Sequence, residues 1–468
     1  MILVYGEKVK TRNLSRVILN PGNGHWPSKL EYINGTNCQD WKIAKIGTDT
    51  EENARNWPKM TEESGITNEW LETILRVHLR FSKKEEEDCL GPLDNNGSPD
   101  EEKDDLTVKV INFHISLGCR EGENLLSDLY AIDVHFSVNE KEKQETKSLN
   151  LMIKLLPQDP YCRRFVCEGG FDIREIHFYT TLAPVLTNFA KKKIPDFQLP
   201  VPKCYYAKYQ SGSESVLVLD NLNTLDFGMA DFGKGLSLEQ AISAVKAIAK
   251  IHGTAIAYKH VEDIDFISAF PFLFRPDAAA VSYEELIDRG LPALSCFLRE
   301  TEVPNHEEVI IRLERLQSSA RDILTELLAP DTRIATITHT DFWSNNIFFR
   351  EDCDDSLILD WQMVTYSRPS NDLALLFLTS LDSTIRRNHK NDLVEIYWRY
   401  LTKTTSSLGF DLETSLNYAK DDFLEELKKS ELLGLLLGIG SVDLALGDSR
   451  TESRLLDALN DLCKENVF

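Results

Sequence analysis

The segment Ile337-Thr338-His339-Thr340-Asp341-Phe342-Trp343-Ser344-Asn345-Asn346 holds the residues best suited to chemistry. It reads His-x-Asp, with an Asn five residues after the Asp. Fourteen residues beyond Asn346, Asp360 ends the apolar run Leu357-Ile358-Leu359. Carboxylate, amide and carboxylate in this order suit phosphoryl transfer. Asp341 is the candidate base, orienting an attacking hydroxyl and taking its proton. His339 joins it in the catalytic set, as scaffold of the loop and not as a proton carrier. Asn346 and Asp360 offer the hard oxygen ligands by which Mg²⁺ is held while it bridges nucleotide phosphates. Taken alone, an Asp- and Asn-rich turn that caps strands would look the same.

Phosphoryl transfer also needs partners upstream. A strand lysine must hold the α/β phosphates, and a helix glutamate must orient it. Lys154, in Leu151-Met152-Ile153-Lys154, is the lysine candidate; the plain alternative is an edge-strand lysine. Glu175, in Arg174-Glu175-Ile176-His177-Phe178-Tyr179, is the glutamate candidate; the alternative is a solvated helix-face acid. Gly122 and Asn124, in Gly118-Cys119-Arg120-Glu121-Gly122-Glu123-Asn124, lie where a phosphate-covering hairpin belongs, although a plain hairpin turn fits equally well. Leu217-Val218-Leu219-Asp220-Asn221-Leu222 marks a change from strand to helix patterning. Leu219, Asp220 and Leu222 are therefore the candidate hinge that meets adenine.

The elements around these residues follow from periodicity. Strand patterns cover 107–116, 127–138 and 149–156, with two short ones at 204–209 and 215–219. A helix is expected over 174–191, kinked or split by Pro184. Ser237-Leu238-Glu239-Gln240 opens a helix running to about His260 as a capping box. Helical patterning returns over 283–328, 372–408 and from 418 onward, interrupted by short strands at 334–338 and 356–359. The expected class is α+β with two lobes: a mainly β lobe with its hinge over 107–222, and a mainly α lobe with the catalytic loop over 223–468. Residues 63–106 read as a helix beginning near Thr67 plus an acidic linker at 83–105, which holds ten acidic residues and three lysines. Residues 1–62 are read as a loosely attached extension.

Composition narrows the function classes. The 468 residues are 42% hydrophobic and 27% charged, enough for a sizeable core. With 75 acidic against 52 basic residues the net charge is −23, which argues against nucleic acid and anionic membrane as partners. The nine cysteines show no CxxC pair and no zinc spacing, as expected of reduced thiols in a cytoplasmic protein. The densest apolar stretch, 432–440, is too short to span a bilayer. His252 sits on an apolar helix stripe and reads as a packed core histidine. Asp372 reads as a helix cap or a support for the catalytic loop. Asp226-Phe227-Gly228 and Asp231-Phe232-Gly233 precede the catalytic loop and read as turns.

The ordered set Gly122-Glu123-Asn124, Lys154, Glu175-x-x-Phe178-Tyr179, 217–222, Ile251-His252-Gly253, His339-x-Asp341-x-Trp343-x-x-Asn346, Asp360-x-Gln362 and Asp372-Leu373-Ala374 resembles the ecdysteroid kinase-like family. These are choline-kinase-like small-molecule kinases of arthropods and nematodes. The resemblance spans about residues 66–450. It implies a protein-kinase-like two-lobed fold, ATP as co-substrate with Mg²⁺, and phosphorylation of a hydroxyl on a small molecule. By resemblance the base is Asp341, the magnesium ligands are Asn346 and Asp360, the nucleotide lysine is Lys154 and the hinge acid is Asp220, where Glu is usual. Two more departures are Thr340, where the family usually has Gly, and Trp361, where it usually has Phe.

The leading expectation is an ATP- and Mg-dependent kinase acting on an apolar alcohol such as an ecdysteroid or a hydroxylated xenobiotic. Phe270, Phe272, Phe274, Tyr283, Tyr397, Trp398 and Tyr400 are the aromatic candidates for its cleft, unless they are core. A choline- or aminoglycoside-type phosphotransferase is the alternative within the fold. A pseudokinase acting as a ligand-binding module is the alternative outside catalysis.

Overall fold

The computed structural model describes residues 64–87, 106–119, 126–140, 143–210, 214–301, 306–330 and 332–468. Residues 1–62, most of the acidic stretch, and Gly122 and Asn124 therefore lie outside the described residues.

One antiparallel sheet, in the order β1-β2-β3-β5-β4, builds the first lobe. Its strands are β1 (Thr107–Leu117), β2 (Asp128–Glu140), β3 (Lys143–Leu155), β4 (Cys204–Gln210) and β5 (Glu214–Asp220). In β1, Val108 and Val110 point inward. The register then slips by one residue before Asn112, so Ile115 takes up the inward phase and Ile111 is left 56% exposed. β3 begins six residues before its apolar run, because its polar first half pairs with the end of β2 beyond the core. β3 lies between β2 and β5, so Lys154 is on a central strand and not on an edge.

Helix α1 (Asn68–Glu87) lays Leu71, Ile74 and Leu75 against this sheet, and Glu72 Oε1 accepts the Val110 amide at 3.0 Å. The helix corrects the linker expected at 83–105. Its first residues, Lys83 to Glu87, continue α1, as Lys and Glu are good helix formers.

The expected helix over 174–191 is a longer, three-part element. After α2 (Pro160–Gly169), which is capped by Asp159, Gly170 turns left-handed at φ 62° and starts α3 (Phe171–His177). A π-helical turn, Phe178–Leu182, leads into α4 (Ala183–Lys191). Pro184 falls in the first turn of α4, where the wider π turn before it accommodates the missing N–H. α2 went unpredicted, although Asp159-Pro160 is a cap followed by Pro at the first helical position.

The second lobe is built around α5 (Leu238–Val261), which is apolar on nearly every face. Its capping box forms as expected: Ser237 Oγ accepts from Gln240 N, and Gln240 Oε1 accepts from Ser237 N. The helical span expected over 283–328 is three helices, α6 (Pro276–Glu300), α7 (His306–Gln317) and α8 (Ala320–Leu328). α9 (Ser370–Thr379), α10 (Ser383–Ser407), α11 (Lys420–Gly440) and α12 (Ser449–Lys464) complete the lobe. Gly290 lets α6 lie against α11: a Cβ there would come within 2.0 Å of the Ile439 carbonyl oxygen.

Two small sheets carry the loops. β7 (Thr336–Thr338) pairs with β10 (Thr365–Ser367), and β8 (Ile347–Arg350) lies between β6 (Phe227–Met229) and β9 (Ser356–Ile358). The first Asp-Phe-Gly is thus not a turn: Phe227 and Gly228 pair with Arg350 and Phe349. The second remains a turn, closed by Lys234 N and Gly235 N on Asp231 O. A β lobe with one inward helix, joined to a helical lobe with its loops on small sheets, is the bilobal protein-kinase-like architecture.

Candidate active site

Lys154 stands near the end of β3, opposite Leu129 of β2 and Leu217 of β5. Its Nζ lies 2.7 Å from Glu175 Oε2 and 2.8 Å from Asp360 Oδ1. One ammonium therefore joins the β lobe, its helix and the loop after β9. Glu175 is 4% exposed, which removes the solvated-acid reading. Burial works against Lys154, yet the two carboxylates hold its pKa well above the usual lysine value. Burial also pushes Asp360 up, but the charge and hydrogen bond of Lys154, joined by smaller attractions, bring its pKa below the usual carboxylate value. For Glu175 burial prevails over the pull of Lys154, and its pKa rises.

Two side chains hold α3 and the π turn after it in this position. Arg174 donates Nε to Gln362 O at 2.9 Å and Nη2 to Gly169 O at 2.5 Å, and its guanidinium lies 3.8 Å from the Phe274 ring centroid. Phe178 stacks on Trp361, with centroids 4.0 Å apart and planes 4° apart. Trp361, where the resembled family usually has Phe, thus fills a helix-to-loop contact.

The catalytic-loop segment spans β7 to β8. Asp372, in the first turn of α9, holds it from below: Oδ2 accepts His339 N at 2.7 Å, and Oδ1 accepts Thr340 N at 2.8 Å. His252 Nε2 meets the same Asp372 Oδ2 at 3.1 Å, and its Nδ1 meets Tyr397 OH at 2.8 Å. His252 is the packed core histidine expected, and it ties α5 to α9 and α10. His339 Nε2 donates to Leu359 O at 2.7 Å, while its Nδ1 accepts Asp341 N at 3.3 Å. That pair of bonds fixes one tautomer, and the ring links the loop to the strand end before Asp360.

Asn346 donates Nδ2 to both Asp341 O (2.8 Å) and Asp341 Oδ2 (3.0 Å), which sets the angle of that carboxylate. Burial raises the Asp341 pKa. Asp360 takes a left-handed backbone, φ 64° and ψ 59°, and Gln362 Nε2 donates to its Oδ2 at 3.1 Å. Thr340 is also left-handed, at φ 64°. Its carbonyl accepts Tyr283 OH at 3.0 Å, and its Oγ1 lies 3.2 Å from Thr338 Oγ1.

A left-handed threonine costs about 1–2 kcal/mol, which a glycine would relieve. A glycine would also give up the hydroxyl pair, worth about 0.5–1.5 kcal/mol. The terms nearly cancel, so Thr340→Gly is expected to unfold within about 1 kcal/mol of the parent in urea and to turn over at a similar rate. A dead parent made active by that change would replace the kinase reading with the pseudokinase one.

The structure thus brings Lys154, Glu175, Asp360, Asp341, Asn346 and His339 into one connected site. Leu219 and Leu222 are buried beside the hinge. The Asp220 carboxylate is committed to β4, accepting Tyr205 OH at 2.7 Å and Lys203 N at 3.1 Å. Of the aromatic candidates, Phe270, Phe274, Tyr283, Tyr397 and Trp398 are buried core, while Phe272 and Tyr400 are half-buried against it. Sequence reasoning missed Arg174 and the tether of Tyr283 to the loop. A charge beside Glu175 and a tyrosine on an amphipathic helix carry no local signal of either role.

The donor set suits a small hard cation. Asn346 Oδ1 is buried with no hydrogen-bond partner, an orphaned oxygen of the kind a metal ion satisfies. With Asp360 it forms the amide-plus-carboxylate pair typical of Mg²⁺, which takes its remaining ligands from phosphates and water. No cluster of three or more His, Cys, Asp or Glu residues suited to a metal occurs among the described residues.

Fold and site together define a protein-kinase-like phosphotransferase. The ecdysteroid kinase-like family model matches residues 121–410, more than half of the chain, and the chain belongs to that family. It is a small-molecule O-phosphotransferase. Among solved structures it is similar to an ethanolamine kinase of Plasmodium vivax, at 12% identity over 77% of this chain and 82% of that one, with a TM-score of 0.33. It is also similar to a macrolide 2'-phosphotransferase type I (13%, 76% and 92%, TM-score 0.34) and a glucosamine kinase (13%, 79% and 84%, TM-score 0.32). At such scores these likenesses say nothing about the acceptor. No curated protein matches the chain.

Proposed function

We propose that this phosphotransferase uses ATP with Mg²⁺ and phosphorylates a hydroxyl on a small, mostly apolar molecule of the ecdysteroid or hydroxylated-xenobiotic class. The observation that carries the nucleotide half is Asn346, whose amide nitrogen fixes Asp341 while its buried oxygen is left to a cation. Asp341 orients the acceptor hydroxyl and takes its proton as the oxygen bonds to the γ-phosphorus. The bond from that phosphorus to the β–γ bridging oxygen breaks, and ADP leaves. Lys154, steadied by Glu175, holds the α/β phosphates. Asn346 and Asp360 would hold Mg²⁺, which when bound would supply positive charge to the phosphates.

The apolar acceptor rests on family membership. A cytoplasmic setting is part of the same reading, since Cys162, Cys167, Cys204, Cys353 and Cys463 carry free thiols. Among the described residues no helix is long and apolar enough to cross a membrane. A panel of sterol-like alcohols, phenols, choline, ethanolamine and aminoglycosides, scored by ADP release, tests the acceptor. Turnover is expected with the apolar alcohols. Turnover with choline or ethanolamine alone would replace this acceptor with a quaternary or primary amine alcohol.

A further inference from the structure

A base must be aimed at its proton, and the peptide unit between Thr340 and Asp341 is the backbone that aims this one. Its N–H donates to His339 Nδ1 at 3.3 Å, and its carbonyl accepts Tyr283 OH at 3.0 Å. Just before it, Thr340 N donates to Asp372 Oδ1 at 2.8 Å. His339 belongs to the same loop and Asp372 to α9, so of these partners only Tyr283 ties the loop to α6.

Thr340 is 2% exposed and left-handed at φ 64°, a backbone that threonine resists. Without the phenol hydroxyl its carbonyl would lose its donor while buried, and a strained residue would lose the bond on its C-terminal side. Tyr283 is itself buried, in the apolar cluster that holds Phe274, Ile287 and Leu291. A phenylalanine would fill that place equally well, so packing does not account for the hydroxyl. Burial, with Asp341 and Asp372 nearby, pushes the phenol pKa well above its usual value, and the group stays a neutral donor.

The segment leading into α6 is fixed to the other parts of the site. Phe274 N donates to Val364 O at 2.9 Å, in the stretch that follows Asp360. The Phe274 ring centroid lies 3.8 Å from the Arg174 guanidinium of α3. Residues 274–283 therefore touch the base loop, the stretch after Asp360 and the helix of Glu175.

We propose that Tyr283 is a positioning residue for phosphoryl transfer: through the Thr340 carbonyl, its hydroxyl fixes the backbone of Asp341 relative to Asp360 and α3. The proposal rests on the reading of Asp341 as the base. Tyr283 carries no proton in the reaction and its hydroxyl holds no phosphate; its contribution is to the geometry of the transfer step.

The test is a double-mutant cycle between Tyr283→Phe and Asp341→Asn in the full chain. It is read as ADP release from Mg-ATP with water as the acceptor, which needs no identified alcohol, and as Mg-ATP affinity by calorimetry. Tyr283→Phe is expected to lower the rate by roughly 10–100-fold, as a small misplacement of a reacting group does, with affinity unchanged. In the Asp341→Asn background the same change should have little further effect, because residues acting as a unit are non-additive. A hydroxyl that only stabilised the fold would leave the rate of the folded chain alone, or would cost the same in both backgrounds. A parent-like rate in Tyr283→Phe, an equal loss in both backgrounds, a matching loss of affinity, or a Tyr283→Phe chain that does not fold would each overturn the proposal and leave Asp341 as the base. A parent-like rate in Asp341→Asn would instead remove the base, and the proposal with it.

Discussion

Replacing Asp341 with Asn is expected to cut the turnover number by roughly 10²–10⁴-fold while leaving Mg-ATP affinity nearly unchanged, because a general base contributes about that much. Asn keeps the size of the side chain and an oxygen for Asn346 Nδ2, which now lies 3.0 Å from Asp341 Oδ2. What it removes is the ability to take a proton. The pH dependence supplies an independent reading. Burial raises the Asp341 pKa, so the carboxylate is protonated at a higher pH than an ordinary aspartate. The base works only when ionised. The parent's turnover should therefore fall as pH drops through this raised pKa, giving an acid limb above the usual range near 3.9. Residual turnover in the variant should lack that limb. Turnover equal to the parent's, or an acid limb kept in the variant, would remove Asp341 from the role of base.

Much of the site could be read from spacing alone, for a physical reason. His339, Asp341 and Asn346 belong to one short loop, and local geometry ties them together through the His339 ring and the Asn346 amide. Lys154 and Glu175 lie further apart in sequence, yet strand and helix periodicity placed each on its element. The contacts that hold the lobes' pieces together were not legible. Arg174 reaches Gln362 across 188 positions, and Tyr283 reaches Thr340 across 57. Nothing in the residues flanking either end encodes such a partner. The short strands β6, β8 and β10 were missed because three or four residues carry too little alternation to register. β6 and β10 find their partners at a distance along the chain, while β8 pairs with β9 through a short hairpin. The aromatic residues of that lobe show the converse: composition offered a cleft, and most of them are core, since aromatic side chains contribute more by burial than by exposure.

Asp360→Ala is expected to abolish the Mg²⁺ dependence of nucleotide binding and to weaken Mg-ATP by roughly a hundredfold, in keeping with the several kcal/mol a metal contributes to phosphate charge. The carboxylate has two jobs. It is the charged member of the candidate metal pair with Asn346, and it is one of two anions that neutralise Lys154. Its ionisation is favoured, because the charge and hydrogen bond of Lys154, joined by smaller attractions, overcome burial and bring its pKa below the usual carboxylate value. The metal role is thus available across the whole neutral range, and no titration of Asp360 should appear there. Removing one partner of a buried pair commonly costs about 3–5 kcal/mol. Here the loss should be smaller, because Glu175 stays 2.7 Å from Lys154 and takes over as its counter-ion. Alanine adds a separate penalty, since the backbone is left-handed at φ 64°. Asp360→Asn separates these effects: asparagine tolerates that backbone, retains an oxygen ligand and removes only the charge. Titrations with ATP in Mg²⁺ and in chelator should then rank the parent above Asn and Asn above Ala for metal-dependent affinity, with the Asn variant the closer to the parent in urea unfolding. Metal-dependent affinity equal to the parent's in both variants would mean that Asp360 serves only to hold Lys154.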